Sequence, residues 1–326
     1  VTASVAIVGA GQIGFAAAQW FFGKGWDVTI LSRSRPAWVQ FARQWQPYVA
    51  GVDPAPHADV VLDTIAYDET DIAVYDPGAI GRLIVISSAS VYCDDADRTL
   101  DEGPVGGYPE FAGPITEVQA TVAPGPATYS TRKMRMESAA CARFGERATI
   151  LRPCAIHGAW SRHPREWWFV KRLLDGRRRI PLIHHGRSRF QTTDVEQIAR
   201  TAQAAAAHGI GGVFNIADSD CPNVLEIGEA ISGFLEREVD LIPVEGTGLV
   251  GRTPWSLPGT FAVDGSKAMA MYGDNPWFPY ADHVQPALQW LCQHAPTDWR
   301  AAFPQLAAYP WDLFDYAAED HLLAAQ

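Results

Sequence analysis

Tyr129 and Lys133 stand four residues apart in Tyr129-Ser130-Thr131-Arg132-Lys133, so a helix through them carries a phenol and an ammonium on one face. A phenol of pKa about 10 is a poor base at neutral pH, but a neighbouring positive charge favours its phenolate. Such a pair can take up and return a proton. A second polar cluster, Ser87-Ser88-Ala89-Ser90-Val91-Tyr92, follows the apolar run Leu83-Ile84-Val85-Ile86 and can supply a hydroxyl. A third motif, Leu151-Arg152-Pro153, ends another apolar run with a proline that turns the chain outward. Tyr and Lys at this spacing also occur on ordinary helices as packing and solvated residues, so the motifs gain meaning only in combination.

The elements that must hold these groups together are written in the hydrophobic pattern. Val5-Ala6-Ile7-Val8 leads into Gly9-Ala10-Gly11-Gln12-Ile13-Gly14, and Ile13 to Lys24 carries apolar residues at helical spacing up to Gly25. A strand at Val28-Thr29-Ile30-Leu31, a helix near Trp38 to Gln44, and strands at Val60-Val61-Leu62 and Leu83-Ile84-Val85-Ile86 follow. Beyond them the pattern predicts a helix from Tyr129 to Phe144 and a strand at Ala148-Thr149-Ile150-Leu151. A helix from Val195 to Ala207 and a strand at Val213-Phe214-Asn215-Ile216 complete the alternation. Continuously apolar strands alternating with helices describe an α/β fold, a Rossmann-type doubly wound parallel sheet. The Trp- and Pro-rich pieces at 159–183 and from Cys221 onward break the alternation and are assigned to a smaller, discontinuous substrate-capping part. Residues 1–157 plus 186–218 are then the nucleotide-binding domain, and 158–185 plus 219–326 the substrate region.

Placed between a strand and a helix, the glycine turn aims backbone N–H groups and a helix N-terminus at a pyrophosphate. Gly9, Gly11 and Gly14 permit the tight turn, the close approach and the helix-on-strand contact. The second strand ends in Ser32-Arg33-Ser34-Arg35. NAD sites usually place a carboxylate there; its absence, with two guanidinium forks suited to a 2′-phosphate, favours NADP over NAD. Asp53 reads either as an adenine contact or as a turn acid beside Pro54.

In this order the motifs resemble the short-chain dehydrogenase/reductase superfamily, specifically its extended branch, the NAD(P)-dependent sugar epimerase/dehydratase-like proteins. The likeness runs from Val5 to about Ile216 and includes Gly186-Arg187-Ser188-Arg189-Phe190-Gln191-Thr192-Thr193-Asp194-Val195, similar to a segment that returns to the sheet in that family. The resemblance implies a catalytic triad of Ser88, Tyr129 and Lys133. Tyr129 moves a proton to or from a substrate oxygen, Ser88 hydrogen-bonds the same oxygen while hydride passes to or from a nicotinamide, and Lys133 favours the phenolate. Ser88 is chosen because the family serine lies three residues before the Val of the Val-Tyr pair; Ser87 and Ser90 are the next candidates. The implied cofactor-binding set is Gly9, Gly11, Gln12, Ile13, Gly14, Ser32, Arg33, Arg35, Asp53, Thr64, Ala66, Ser87, Tyr129, Lys133 and Pro153. Ser90, His157, Trp160 and Arg187 are candidate substrate contacts, Arg187 matching a family arginine that meets nucleotide phosphates.

The chain also departs from the family. Val8 stands where another glycine is usual, and Ala155 where sugar-nucleotide members carry an asparagine. Ala89 and Ser90 replace the acids that dehydratases and decarboxylases place after the serine, which disfavours dehydration. The stretch between Ala66 and Leu83 is short where the family builds a long dimer-forming helix, so about one turn near Thr70 to Tyr75 and a monomer or non-standard dimer are expected. The expected activity is an NAD(P)-dependent oxidoreductase acting at a secondary alcohol or carbonyl of a sugar or sugar-like molecule. The alternatives are a nucleotide-sugar 4-epimerase with transient hydride transfer and a dinucleotide-binding redox sensor without chemistry.

Composition narrows the partners. With 37 Asp and Glu against 26 Lys and Arg, the net charge of -11 offers no basic face for nucleic acid and is repelled by anionic lipid. No apolar run approaches membrane-spanning length, so a cytoplasmic protein is expected. The five cysteines are odd in number and lack any C-x-x-C pair, which argues against a disulfide framework and a structural zinc. His157, His163, His184 and His185, with Trp160, Trp167 and Trp168, fall in the capping pieces, where they could line a pocket for a polar ring. None of these histidines has helical metal-ligand spacing, and no metal is expected. Arg177-Arg178-Arg179 reads as a solvated helix end.

Overall fold

The computed structural model describes residues 2–245, 248–272 and 277–325. The apolar runs become the strands β1 (Ser4–Val8), β2 (Asp27–Ser32), β3 (Gln44–Pro47), β4 (Ala58–Asp63), β5 (Ile80–Ile86), β6 (Ala148–Pro153) and β7 (Gly212–Ile216). They form one parallel sheet in the order β7-β6-β5-β4-β1-β2-β3, with Val5 paired to Val28 on one side and Val60 on the other. Helices α1 (Gln12–Gly23) and α4 (Val195–His208) pack together, as do α2 (Glu69–Ala73) and α3 (Tyr129–Phe144). This is the Rossmann-type arrangement that the alternation predicts. Because the chain leaves β1 toward β2 on one side while β4 pairs on the other, the strand order reverses there. The C-terminal ends of β1 and β4 therefore open the crevice in which such sheets take ligands.

Local chemistry explains the key helix. Thr128 and Thr131 form a reciprocal capping box at the start of α3, and Gly145, at φ +54°, ends it. Ser130, Lys133, Met136, Glu137, Ala140 and Phe144 recur at helical spacing and make the buried face. Two of those six are charged, so this face must find polar partners as well as apolar ones. The α2 segment is a single short helix, as the brief connection before β5 predicts, with Asp68 and Asp71 forming its capping box.

One expected element is absent. Instead of a helix near Trp38 to Gln44, the chain makes a 3₁₀ turn, Val39–Phe41, and Gln44 already belongs to the edge strand β3. Trp38 is still buried, its ring 5.5 Å from that of Phe15 on α1. Phe41 also packs on Phe15, at 5.9 Å, so this segment covers α1 with aromatic rings and without a helix.

The chain divides into two compact units. The first comprises Val1–Cys154, Val195–Ala217 and Val263–Pro276, and the second Ala155–Asp194, Asp218–Ala262 and Trp277–Gln326. Residues 155–157 and 186–194 belong to the second unit, because Ala155–His157 pairs with Thr192–Asp194 and not with the large sheet. The core of the second unit joins Trp167, Trp168 and Phe169 of the helix Trp167–Leu174 to Ile227 and Ile231 of Val224–Phe234 and to Leu288 of Gln285–Gln293. Its last helix, Tyr316–Ala324, is fastened by Glu319, which accepts from the buried Arg172. No helix among the described residues is long and apolar enough to cross a membrane.

Candidate active site

The glycine turn is built as its spacing suggests. Gly9 has φ +105°, and a Cβ there would lie 2.2 Å from Thr64 Oγ1, so both its backbone and its surroundings demand glycine. A Cβ on Gly14 would lie 2.2 Å from Gly9 O, which is the close helix-on-strand approach. Gly11 differs: a Cβ there would meet nothing within 4 Å. Gly11 is also the N-cap of α1 and provides no side-chain cap, so no capping side chain takes the leading N–H groups of the helix. Open room beside uncapped donors at a helix N-terminus suits a pyrophosphate, so the residues present fit the dinucleotide. Ile13 is buried, and Gln12 Oε1 is buried without a hydrogen-bond partner among the described residues.

β4 ties this turn to the phenol. Thr64 Oγ1 donates to Val8 O at 2.8 Å, fixing the end of β4 to the end of β1. Asp63, 1% exposed, accepts from the backbone N–H of Ile65 and of Ala66 at 2.8 Å and from the Tyr75 hydroxyl at 2.6 Å. Burial raises the Asp63 pKa above the usual carboxylate range, against these bonds and the nearby Lys133. The loop so formed presents Ala66 O to Lys133 Nζ at 2.6 Å, and the end of β5 presents Ile86 O at 2.9 Å. Burial pushes Lys133 down to about 8, although Asp63, Asp71 and Glu137 pull the other way. Its ammonium lies 5.8 Å from the centre of the Tyr129 ring.

The serine turn is fixed just as closely. Ser88 caps the 3₁₀ turn Ala89–Val91, its Oγ accepting from Ser90 N at 3.1 Å, which leaves its own proton to donate. Ser130, the residue after Tyr129, donates to Ser90 Oγ and Ser90 O, each at 2.9 Å. Ser130 N–H in turn donates to Asp101 at 2.8 Å. Ser87 Oγ donates to Glu137 at 2.5 Å, and Glu137 accepts from Arg152 at 2.6 and 2.9 Å. Ser87 therefore faces the buried network beneath the turn. Pro153, also buried, ends β6 beyond Arg152.

At the nucleotide end, Ser32 Oγ donates to Ser34 O at 2.8 Å and accepts from Trp45 Nε1 at 3.0 Å. Arg33 and Arg35 are exposed and make no ion pair with a described carboxylate. Asp53 accepts from Val49 N at 2.7 Å and so shapes the turn after β3.

The remaining candidates lie in the second unit. His157 is fully buried, its Nε2 2.9 Å from Asp218, and is closed to a substrate. Burial works against its charge, but Asp218 overrides this and holds the imidazole up at about 9. Trp160 sits beside Trp290 and His294, and Arg187 is exposed. Burial beside Arg165 pushes His163 down to about 2, and Trp167 and Trp168 are core residues. Arg177 is paired with Glu319 and Asp320 and is no merely solvated charge. Among the described residues no cluster of three metal-ligating side chains occurs and no disulfide joins any of the five cysteines.

Sequence reasoning overlooked Asp63, Tyr67 and Glu137. Glu137 had a signal, since it stands four residues after Lys133 on the same buried face. Asp63 had one too, as a carboxylate closing an apolar strand. Tyr67 carried none.

No protein-family profile and no characterised protein matches the sequence. Solved structures do match in shape. One is dTDP-glucose 4,6-dehydratase from Bacillus anthracis, solved with NAD, at 15% identity and TM-score 0.64 over 91% of this chain and 98% of that one. Another is UDP-N-acetylglucosamine 4-epimerase from Methanobrevibacter ruminantium, at 14% identity and TM-score 0.66 over 90% and 99%. A third is UDP-glucuronic acid 4-epimerase from Bacillus cereus, solved with UDP-glucuronic acid and NAD, at 16% identity and TM-score 0.65 over 89% and 99%. The protein shares the fold of these structures, the fold expected from the resemblance of its glycine turn, serine turn and Tyr-Lys helix to the extended short-chain dehydrogenases/reductases.

Proposed function

We propose that the protein is an NADP-linked oxidoreductase acting at a secondary alcohol or carbonyl of a sugar or nucleotide sugar, with Ser88, Tyr129 and Lys133 as its catalytic residues. One observation carries the reading. Lys133, bound to the loop after β4 and to the end of β5, and Ser130, bound to Ser90, draw the phenol, the ammonium and the serine turn together on the sheet ends that hold the glycine turn. When bound, the dinucleotide supplies the hydride acceptor or donor. Gly9 to Gly14 and the start of α1 would hold its pyrophosphate, and Arg33 and Arg35 would hold its 2′-phosphate. Ser88 donates to the reacting oxygen, and Tyr129 takes or returns the proton on it. Lys133 supplies the charge that makes the phenolate accessible. The five-residue α2 supports a monomer or a dimer built on another surface.

A 4-epimerase is the second reading, favoured by the number of 4-epimerases among the similar structures. The two separate when the protein is incubated with a panel of UDP- and dTDP-linked hexoses and keto-hexoses, once with NADPH and once with NADP⁺ or NAD⁺, the oxidised cofactor that an epimerase needs to take the first hydride. A reductase consumes the absorbance of the reduced cofactor with each turnover, whereas an epimerase interconverts the sugars at constant absorbance. In either case Tyr129→Phe lowers turnover by at least about a hundredfold; retention of activity removes the catalytic assignment. Arg33→Ala weakens NADPH more than NADH in a binding titration, and an unchanged ratio removes the NADP preference.

A further inference from the structure

Tyr67 follows Ala66, whose carbonyl receives the Lys133 ammonium. Its ring lies 5.6 Å from that of Tyr129, tilted by 40°, and is 38% exposed. One ammonium serves both rings, because Lys133 Nζ is 5.8 Å from the Tyr129 centroid and 6.0 Å from the Tyr67 centroid. The Arg132 guanidinium adds a second cation 5.7 Å from the Tyr67 ring centre. The backbone beneath is equally constrained. Tyr67 N–H donates to Asp71 at 2.7 Å, Asp68 N–H to the same oxygen at 2.9 Å, and the Asp68 carboxylate meets Arg135 of α3 at 3.2 Å. Tyr129 occupies the first position of α3 and is 43% exposed.

We propose that Tyr67 is a positioning residue for the proton-transfer phenol, its ring acting as the wall that keeps Tyr129 beside the Lys133 ammonium. The inference rests on the Ser88–Tyr129–Lys133 reading. It goes beyond that reading by assigning the geometry of Tyr129 to a residue outside the triad. The role requires an aromatic ring at position 67 and no hydroxyl. Because attraction between charges falls with separation, a Tyr129 ring free to swing away loses part of the stabilisation of its phenolate.

The test needs no substrate. Protein labelled with [13Cζ]tyrosine and loaded with NADP⁺ is titrated by NMR, the Tyr129 resonance being identified by its loss in Tyr129→Phe. Tyr67→Phe should keep the wild-type midpoint. Tyr67→Leu and Tyr67→Gln should titrate about one pH unit higher, about tenfold less phenolate at a given pH below the midpoints, with NADP⁺ affinity unchanged as the sign of an intact fold. Equal midpoints in the wild type and a folded ring-free variant overturn the proposal, as does a Tyr67→Phe midpoint shifted as far as theirs. A Tyr129 titration indifferent to Lys133→Met would instead sink the triad reading itself, so the two failures are distinguishable.

Discussion

Each unit buries an arginine–glutamate pair beside an aromatic ring, and the two pairs do different things. In the first unit Arg152 donates to Glu137 and lies 4.9 Å from the centre of the Tyr92 ring. Glu137 also accepts from Ser87, so this pair sits one residue from the proposed catalytic serine. In the second unit Arg172 donates to Glu319, 147 positions along the chain, with its guanidinium carbon 3.4 Å from the centre of the Trp168 ring. It also donates to Leu313 O at 2.7 Å. Burial lowers the Arg172 pKa in spite of Glu319, whereas Glu137 overrides burial and raises that of Arg152. Desolvation makes a buried ion pair a poor source of stability compared with an apolar filling of the same shape. The comparison therefore teaches where polarity has a positional use: Glu137 holds the serine turn, while Glu319 only fastens the last helix.

Single truncations should have the largest effect and should not separate the pairs. Glu319→Ala and Glu137→Ala each leave a buried guanidinium unpaired and should each lose about 3–5 kcal/mol in urea unfolding. Double replacements sharpen the contrast. Arg172→Met with Glu319→Leu should return stability to within about 1 kcal/mol of wild type and leave turnover intact. Arg152→Met with Glu137→Leu should recover stability similarly, yet turnover should fall at least about tenfold, because Ser87 has lost its acceptor. Equal losses of turnover in the two double variants would break the distinction.

The buried cations of the two units should also respond oppositely to pH. His157, raised to about 9 in the native state from 6.5, contributes stability that is complete below pH 6.5 and is lost as pH rises through 9. Its partner Asp218 also accepts from Asp194 N at 2.7 Å, and Asp194 contacts His283 Nδ1 at 2.7 Å, so the network joins several segments of the second unit. Unfolding free energy should decline over this window, and His157→Asn should remove the decline. Lys133, lowered to about 8 from 10.5, has the reverse sign. The unfolded chain binds its proton more tightly between those values, so this residue adds stability as pH rises from 8 to 10.5, and Lys133→Met should remove the gain. Activity that depends on the ammonium should fall above about pH 8 while this stability term still increases. Of the effects considered, the exposed ion pair of Arg135 with Glu69 should be the smallest, with Glu69→Ala changing stability by under about 1 kcal/mol.

The sequence by itself determined the parts whose information is local. The glycine turn, the apolar strands and the capped helix carrying Tyr129 and Lys133 all follow from spacings of a few residues, and the structure has them where those spacings put them. Even there the pattern misled at Trp38 to Gln44, because one buried tryptophan can satisfy the same apolar signal as a helical face. Tertiary structure alone decided which polar groups meet. Glu137 meets Ser87 across 50 positions, Lys133 meets Ala66 O across 67, and His157 is closed off by Asp218 across 61. Periodicity records which face of an element avoids water, but it carries no term for the partner that a buried charge will find. That partner is fixed only when the sheet order brings distant strand ends side by side.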